Sequence, residues 1–215
     1  MILIPVKNLG HAKQRLASIL DQPSRTELAQ AMLRDVLGTL AEWGNRPPVA
    51  LVTSDPLARD LAQEFGFEII EDVDNRGETA AIEMATTEVM CRGAKWTLVI
   101  PADIPLIKAV DVDRVIRSAP HPGTVLVPAA DGRGTNAALR SPAALFPLRF
   151  GNDSFKPHLA TARSTGYPCN VIEFASIALD VDRPADLLQL ATAPGNSRSQ
   201  QLVRRWNLRE EALVS

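Results

Sequence analysis

Met1-Ile2-Leu3-Ile4-Pro5-Val6 is an apolar run that opens straight into a basic loop, Lys7-Asn8-Leu9-Gly10-His11-Ala12-Lys13-Gln14-Arg15-Leu16. A strand with no polar positions reads as buried on both faces, as the strands of a parallel sheet are. Two later runs end in acids instead of cations. Trp96-Thr97-Leu98-Val99-Ile100 runs into Pro101-Ala102-Asp103-Ile104-Pro105-Leu106, and Ile177-Ala178-Leu179 runs into Asp180-Val181-Asp182.

Segments of helical period separate these runs. Residues 24–42 place Leu28, Met32, Leu33, Val36, Leu37 and Leu40 on one face, with Ser24 and Glu27 spaced as a capping box. Val49–Thr53 is a second strand. Asp55-Pro56 starts a helix over 56–65, and Gly66 ends it. A strand at 67–70, a helix near 78–92, the strand 96–100 and a helix over 110–118 follow. After Pro122-Gly123, residues 124–127 read as a strand with 136–140 paired beside it. Loop and helix fill 141–169, short strands occupy 171–174 and 177–180, and a helix closes the pattern at 184–190. This alternation predicts an α/β fold, a mostly parallel sheet with helices on both faces, and 215 residues suit one such domain.

The domain is expected over 1–193. Pro194-Gly195-Asn196-Ser197 breaks it, and 194–215 forms a helical extension whose apolar residues are Leu202, Val203 and Trp206. Two readings stand for that extension: a helix docked on its own domain, or an arm laid over a second subunit. The second implies a homodimer, which light scattering would register.

A formal net charge of −2 gives no basic excess to hold a polynucleotide backbone, so nucleic acid is not expected as a partner. Cys91 and Cys169 form no metal-ligand pair and are expected as free thiols. The apolar N-terminal run is too short for a secretory signal, and no stretch reaches the roughly 20 apolar residues of a membrane span. A soluble, cytoplasmic protein with no membrane association is expected.

In a parallel α/β sheet, ligands bind beyond the C-terminal ends of the strands. Those ends carry Lys7, Thr53-Ser54-Asp55, Asp72, Asp103 and, with a suitably oriented strand, Asp180. Asp55 precedes Pro56 and reads as a helix cap. Asp103 lies between two prolines that stiffen its turn, and reads as a metal ligand. Asp180 and Asp182, two apart on an extended segment, face the same side and repel unless a cation lies between them. Asp182 has a second reading, as the cap of the helix at Pro184. Mg²⁺ takes hard oxygen ligands of this kind. Lys7, Lys13 and Arg15 suit a triphosphate, although the spacing is not that of a Walker A loop. Cations on one loop and acids on two others fit a nucleoside triphosphate with its Mg²⁺, and hence nucleotidyl transfer.

Two more loops stand out. Asp131-Gly132-Arg133-Gly134-Thr135-Asn136 lets backbone approach a ligand, or is a plain turn. Gly151-Asn152-Asp153-Ser154-Phe155 precedes a helix whose first N–H groups suit an anion, or are capped by Asp153 or Ser154. His11 is within reach of a phosphate. His121 and His158 read as surface residues.

These motifs together resemble one family. Ile4-Pro5-Val6-Lys7 with Ala12-Lys13-Gln14-Arg15-Leu16, Pro101-Ala102-Asp103-Ile104-Pro105-Leu106, Asp131-Gly132-x-Gly134-Thr135-Asn136, Phe150-Gly151-x-x-Ser154-Phe155 and Leu179-Asp180-Val181-Asp182-x-Pro184-Ala185-Asp186-Leu187 look like the CofC/FbiD guanylyltransferases of coenzyme F420 biosynthesis. The match covers 1–190. It implies a MobA-like, Rossmann-like nucleotidyltransferase domain. It also implies transfer of GMP from GTP to 2-phospho-L-lactate, phosphoenolpyruvate or 3-phospho-D-glycerate, with release of pyrophosphate. The product would pass to the enzyme that transfers its phospho-acid part to the deazaflavin precursor Fo. By the same resemblance, Asp103, Asp180 and Asp182 would bind Mg²⁺. Thr135, the Gly151 backbone and Ser154 would hold the acceptor carboxylate, with Asn136 among the substrate-binding residues. Lys7, Lys13 and Arg15 would steady the triphosphate, and the guanine would lie near Thr53, Ser54 and the loop 72–79.

One segment departs from the family pattern: Asp74-Asn75-Arg76-Gly77-Glu78-Thr79-Ala80 keeps Gly77 but has Glu78-Thr79 where the family has a Leu-Asn-like pair. Arg76 there could reach an extra anionic group. The competing readings are another MobA-like nucleotidyltransferase with a different acceptor, and a catalytically silent nucleotide-binding regulator.

Overall fold

The computed structural model of the chain describes residues 1–151 and 153–208. The end of the 194–215 extension, 209–215, lies outside them, as does Asn152. Seven strands form one sheet: β1 (Ile2–Pro5), β2 (Val49–Thr53), β3 (Glu68–Glu71), β4 (Thr97–Val99), β5 (Gly123–Pro128), β6 (Thr135–Ser141) and β7 (Cys169–Val171), in the order β3-β2-β1-β4-β6-β5-β7. All run parallel except β6, which is antiparallel to β4 and β5.

The eight helices of the described residues are α1 (Gln22–Glu42), α2 (Pro56–Glu64), α3 (Glu78–Cys91), α4 (Ala109–Arg117), α5 (Phe155–Ser164), α6 (Ala175–Ala178), α7 (Pro184–Thr192) and α8 (Arg198–Trp206). Alternate strand residues feed two cores, because successive side chains of a strand point to opposite faces. Ile2, Ile4, Val49, Leu51, Val125 and Leu139 pack with Leu33, Leu37, Leu61 and Val115 of α1, α2 and α4. Leu3, Ala50, Val52, Leu126 and Ala138 pack with Ile82, Ala85 and Ala162 of α3 and α5. A sheet covered on both sides needs apolar strands throughout, which is why the runs show no alternation.

A third cluster lies outside α1, where Leu28 and Met32 meet Leu187, Leu190, Leu202 and Val203 of α7 and α8. Asp35 of α1 accepts from the N–H of Arg198 and of Ser199, both at 2.9 Å, and so caps α8. The described part of the extension is thus docked on its own domain, where Leu202 and Val203 are buried and Trp206 packs against the same cluster.

Several local readings need correction. Residues 177–180 do not form a strand: Ala175–Ala178 is a short helix, and Leu179–Asp182 is extended chain outside the sheet. An apolar run of three residues fits a buried helical turn as well as a strand. β7 falls at Cys169–Val171 rather than 171–174, because Thr124 to Leu126 of β5 pair with those residues. Ser24 is not the cap of α1. The helix starts at Gln22, and Asp21 accepts the Ser24 N–H at 2.9 Å. Pro23 fits that first turn, where its missing N–H costs nothing. His158 is not on the surface but buried in α5, at 1% exposure. His121 is exposed as expected. Asp55 does cap α2, accepting from Ala58 N–H at 3.0 Å, and its other oxygen takes the Leu9 N–H at 2.8 Å, which ties the basic loop to the sheet.

Arg140 on β6 is fully buried. Its guanidinium donates to Glu83 at 3.0 Å, Thr86 Oγ1 at 2.8 Å and the Phe146 carbonyl at 2.7 Å, so it joins α3 to the segment ahead of Gly151. Burial pulls its pKa below the usual value, and Glu83 opposes that. Arg140→Ala is expected to cost about 3 kcal/mol or more, as for one partner removed from a buried pair. Glu83 is 35% exposed, so water takes up part of its lost pairing and keeps the figure at the low end. A urea midpoint equal to the parent's would show that this tie does not hold α3 and the segment together.

Candidate active site

The C-terminal edge of the sheet brings the sequence-predicted residues together. β4 ends before the turn carrying Asp103. Because β6 is antiparallel and Val99 pairs with Ala138, the start of β6, Thr135-Asn136, comes to the same edge beside Asp103. β5 ends at Pro128, and the glycine loop returns from it into β6. The 180–182 segment joins them through backbone. Val181 N–H donates to the Asp103 carbonyl at 3.1 Å, and the Asn136 amide donates to the Ile177 and Ala178 carbonyls at 3.0 and 2.9 Å and to Asp180 at 3.1 Å. Asn136 therefore fixes the acidic segment, a role its place in the loop motif did not reveal.

Lys13 sits at the centre. Its ammonium donates to Asp103 Oδ2 at 2.6 Å and to Asp182 Oδ1 at 3.0 Å, while Arg15 reaches the other oxygen of Asp182 at 2.8 Å. Its backbone is left-handed, φ 56°, an uncommon conformation for a residue with a side chain. It lies between two 3-10 turns, Leu9–His11 and Gln14–Leu16, that lead the loop out of β1 and back. Burial disfavours the Lys13 charge, but the two carboxylates outweigh burial and hold its pKa above the ordinary value. Asp182 is held below the usual carboxylate range: burial opposes this, and Lys13 and Arg15 prevail. Asp180 goes the other way, pushed up by burial and by the charges of Asp103 and Asp182, with the Asn136 hydrogen bond opposing. Asp182 does not cap the following helix. Asp186 does, accepting from the N–H of Asp182 at 2.9 Å and of Arg183 at 2.7 Å.

Two cavities meet here. One, of about 270 Å³, is lined by Arg15, Asp103, Thr135, Asn136, Gly151, Ser154, Asp180 and Asp182. The other, of about 350 Å³ and more apolar, is lined by Pro5, Lys7, Leu9, His11, Lys13, Ala29 and Met32. Glu78, Pro101 and Asp103 line both. Glu78 was seen in the sequence only as a departure from a pattern. It opens α3 after Gly77, whose φ of 113° suits glycine. Burial and the Asp103 charge raise its carboxyl to about 7, against Lys7 and Lys13.

The first cavity has a stapled wall. Phe155 N–H donates to the Arg133 carbonyl at 2.8 Å, Arg133 pairs with Asp153, and the Ser154 hydroxyl donates to Thr135 Oγ1 at 3.2 Å. The Ser154 side chain makes no cap bond to α5, so ordinary capping does not explain it. Thr79, in the divergent segment, accepts from Phe150 N–H at 2.9 Å and steadies the turn before Gly151.

Not every expected residue arrives at these cavities. Lys7 does, but its ammonium is held by Asp72 at 2.6 Å and Asn75 at 3.0 Å. Arg76 pairs with Asp74 in solvent. Thr53 and Ser54 line neither cavity. Thr53 is buried, and its hydroxyl accepts the Asp55 N–H at 3.0 Å. Cys91 and Cys169 are free thiols, and no described helix is long and apolar enough to cross a membrane.

The oxygen chemistry of Asp103, Asp180 and Asp182 fits a hard divalent cation. Among the described residues, however, no three acidic, His or Cys side chains are gathered as a ready cage. The Lys13 ammonium holds the place between two of the acids.

Comparison with known proteins agrees with this architecture. The family model "Guanylyl transferase CofC like" matches residues 1–211. A phosphoenolpyruvate guanylyltransferase of Roseiflexus castenholzii is 37% identical over 212 residues, 99% of this chain and 97% of its own. A 2-phospho-L-lactate guanylyltransferase of Methanothermobacter thermautotrophicus is 32% identical over 203 residues, 94% of this chain and 89% of its own. Among solved structures, a nucleotide-diphospho-sugar transferase from Desulfovibrio desulfuricans superposes with a TM-score of 0.78 over 99% of this chain and 95% of its own, at 19% identity, a likeness of fold.

Proposed function

The chain belongs to the CofC-like guanylyltransferase family, and from that premise we propose that it transfers GMP from GTP to the phosphate of a small phosphorylated carboxylic acid and releases pyrophosphate. Phosphoenolpyruvate is the first acceptor to consider, since relatives of that name reach 37% identity, against 32% for the 2-phospho-L-lactate enzyme. 3-Phospho-D-glycerate is the third.

The observation that carries this reading is the meeting of the two cavities at Glu78, Pro101 and Asp103. The nucleotide would take the more apolar cavity, with its phosphates toward Lys7 and Lys13. The acceptor would take the polar one, its carboxylate on the hydroxyls of Thr135 and Ser154 and the Gly151 backbone. Its phosphate then faces the α-phosphorus of GTP across Asp103. A phosphomonoester has a second pKa near 6, so it is mostly dianionic at pH 7 and is its own nucleophile. An acceptor oxygen bonds to the α-phosphorus as the bond to the pyrophosphate oxygen breaks. No protein base is needed, and the protein's contribution is alignment and charge neutralisation. Lys7, Lys13 and Arg15 would take up the charge of the departing pyrophosphate. Asp103, Asp180 and Asp182 would hold Mg²⁺, which would supply further charge neutralisation. The product would go to an enzyme that moves its phospho-acid part to Fo.

The test is pyrophosphate release with GTP and Mg²⁺ and each acid in turn, with the Fo-transferring enzyme present to trap an unstable product. Release with one acid is expected. Silence with all three, from folded protein that binds GTP, would point to another acceptor or to a regulator.

A further inference from the structure

We infer that His158 is a positioning residue for the acceptor cavity, setting the direction of the Thr135 hydroxyl proton from behind the cavity wall. Its side chain is on the buried face of α5, edge-on to Phe150 with ring centroids 5.3 Å apart. His158 Nε2 is 2.7 Å from the backbone nitrogen of Arg149. A backbone N–H can only donate, so Nε2 carries the lone pair. A neutral imidazole with one bare nitrogen holds its proton on the other. His158 Nδ1–H therefore donates to Thr135 Oγ1, 2.9 Å away.

Thr135 Oγ1 also accepts from the Ser154 hydroxyl at 3.2 Å. With both lone pairs engaged, the Thr135 hydroxyl spends its own proton elsewhere, and the cavity it lines is the open direction. A carboxylate there would receive that proton in a charge-assisted hydrogen bond. The neutral state of the ring is built in. Burial, and then the positive charge of Arg140, lower its pKa to about 4. An imidazolium would also set a second N–H against the Arg149 N–H. This assignment rests on the proposed acceptor site, but the ring's tautomer does not.

Two measurements separate these claims. Long-range ¹H–¹⁵N correlation of the wild-type protein at pH 7 is expected to show His158 protonated on Nδ1 alone; protonation on Nε2 would overturn the inference whatever the enzyme's substrate. In the pyrophosphate assay, His158→Phe is expected to raise the KM for the phospho-acid by about 10- to 100-fold, the loss of one hydrogen bond to a charged group. The KM for GTP should stay within about twofold. His158→Asn, whose side-chain amide can replace Nδ1–H, should recover most of the loss. Thr135→Val should add little in the His158→Phe background, because the two act through one hydroxyl. Equal changes in both KM values, or an Asn variant as poor as Phe with an unchanged melting temperature, would reduce His158 to a packing residue. A wild type silent with every acid would instead sink the proposed function and leave the tautomer result standing.

Discussion

Asp103→Ala is expected to lower turnover by about 10³-fold or more while the protein stays folded, the scale set by losing a group that stabilises charge in the transition state. The carboxylate stands on a turn between Pro101 and Pro105, lines both cavities and contacts the Lys13 ammonium. It supports no core packing, and its side chain is 29% exposed. Its removal still leaves Lys13 paired with Asp182, so the melting temperature should change little. Pyrophosphate release and a thermal melt on the same preparation check both halves. Full activity in the variant would remove Asp103 from the chemistry.

Lys13→Ala is expected to cost about 10²- to 10³-fold in turnover, since under the proposed function its ammonium faces the phosphates of the nucleotide in the cavity it lines. Its side chain is only 7% exposed and neutralises Asp103 and Asp182 at once. Without it the carboxylates of Asp103 and Asp182 lose the cation that both contact, and repel each other. Lys13→Gly offers a contrast. Glycine accepts the left-handed backbone at Lys13 without strain, so this variant should melt no lower than Lys13→Ala yet be equally inactive. Lys13→Arg should recover activity only in part, because a planar guanidinium does not fit a slot built for a compact ammonium 2.6 and 3.0 Å from its acceptors. Near-parent kinetics in Lys13→Gly would show that the loop's shape matters and the charge does not.

Much of this site was legible in the sequence because strand ends are. An apolar run stopping at Asp103 or Lys7 states both where the strand lies and which edge its last residue occupies, and a parallel sheet puts those ends together. The glycine loop before Thr135 stood out by its two glycines and by the family resemblance; only the antiparallel pairing of β6 with β4 shows why it reaches the same edge. What a single chain could not disclose was how the charges divide. The cations of the basic loop were expected on phosphates and the acids on a metal. In the structure Lys13 and Arg15 are held by Asp103 and Asp182, and Lys7 by Asp72, because opposite charges brought to one edge pair with each other.

His158 was misread for a different reason. A lone histidine carries no pattern of its own, and only its spacing four residues ahead of Ala162 hinted at a buried face. The turn at Ala175–Ala178 was lost to period ambiguity, and the Asp21 cap to a neighbouring serine with equal capping credentials. In each case the deciding partner lies far along the chain or in the backbone, where residue type leaves no trace.

The central claim is that an acceptor phosphate becomes bonded to the α-phosphorus of GTP. Phosphorus NMR of the protein with GTP, Mg²⁺ and phosphoenolpyruvate, followed over time, tests it most directly. The account requires the phosphomonoester signal to be replaced by two mutually coupled resonances of an unsymmetrical diphosphate, with one equivalent of pyrophosphate. Pyrophosphate accompanied by GMP and unchanged phosphoenolpyruvate, with no diphosphate pair in any spectrum from the first onward, would mean direct hydrolysis of GTP, and would contradict it.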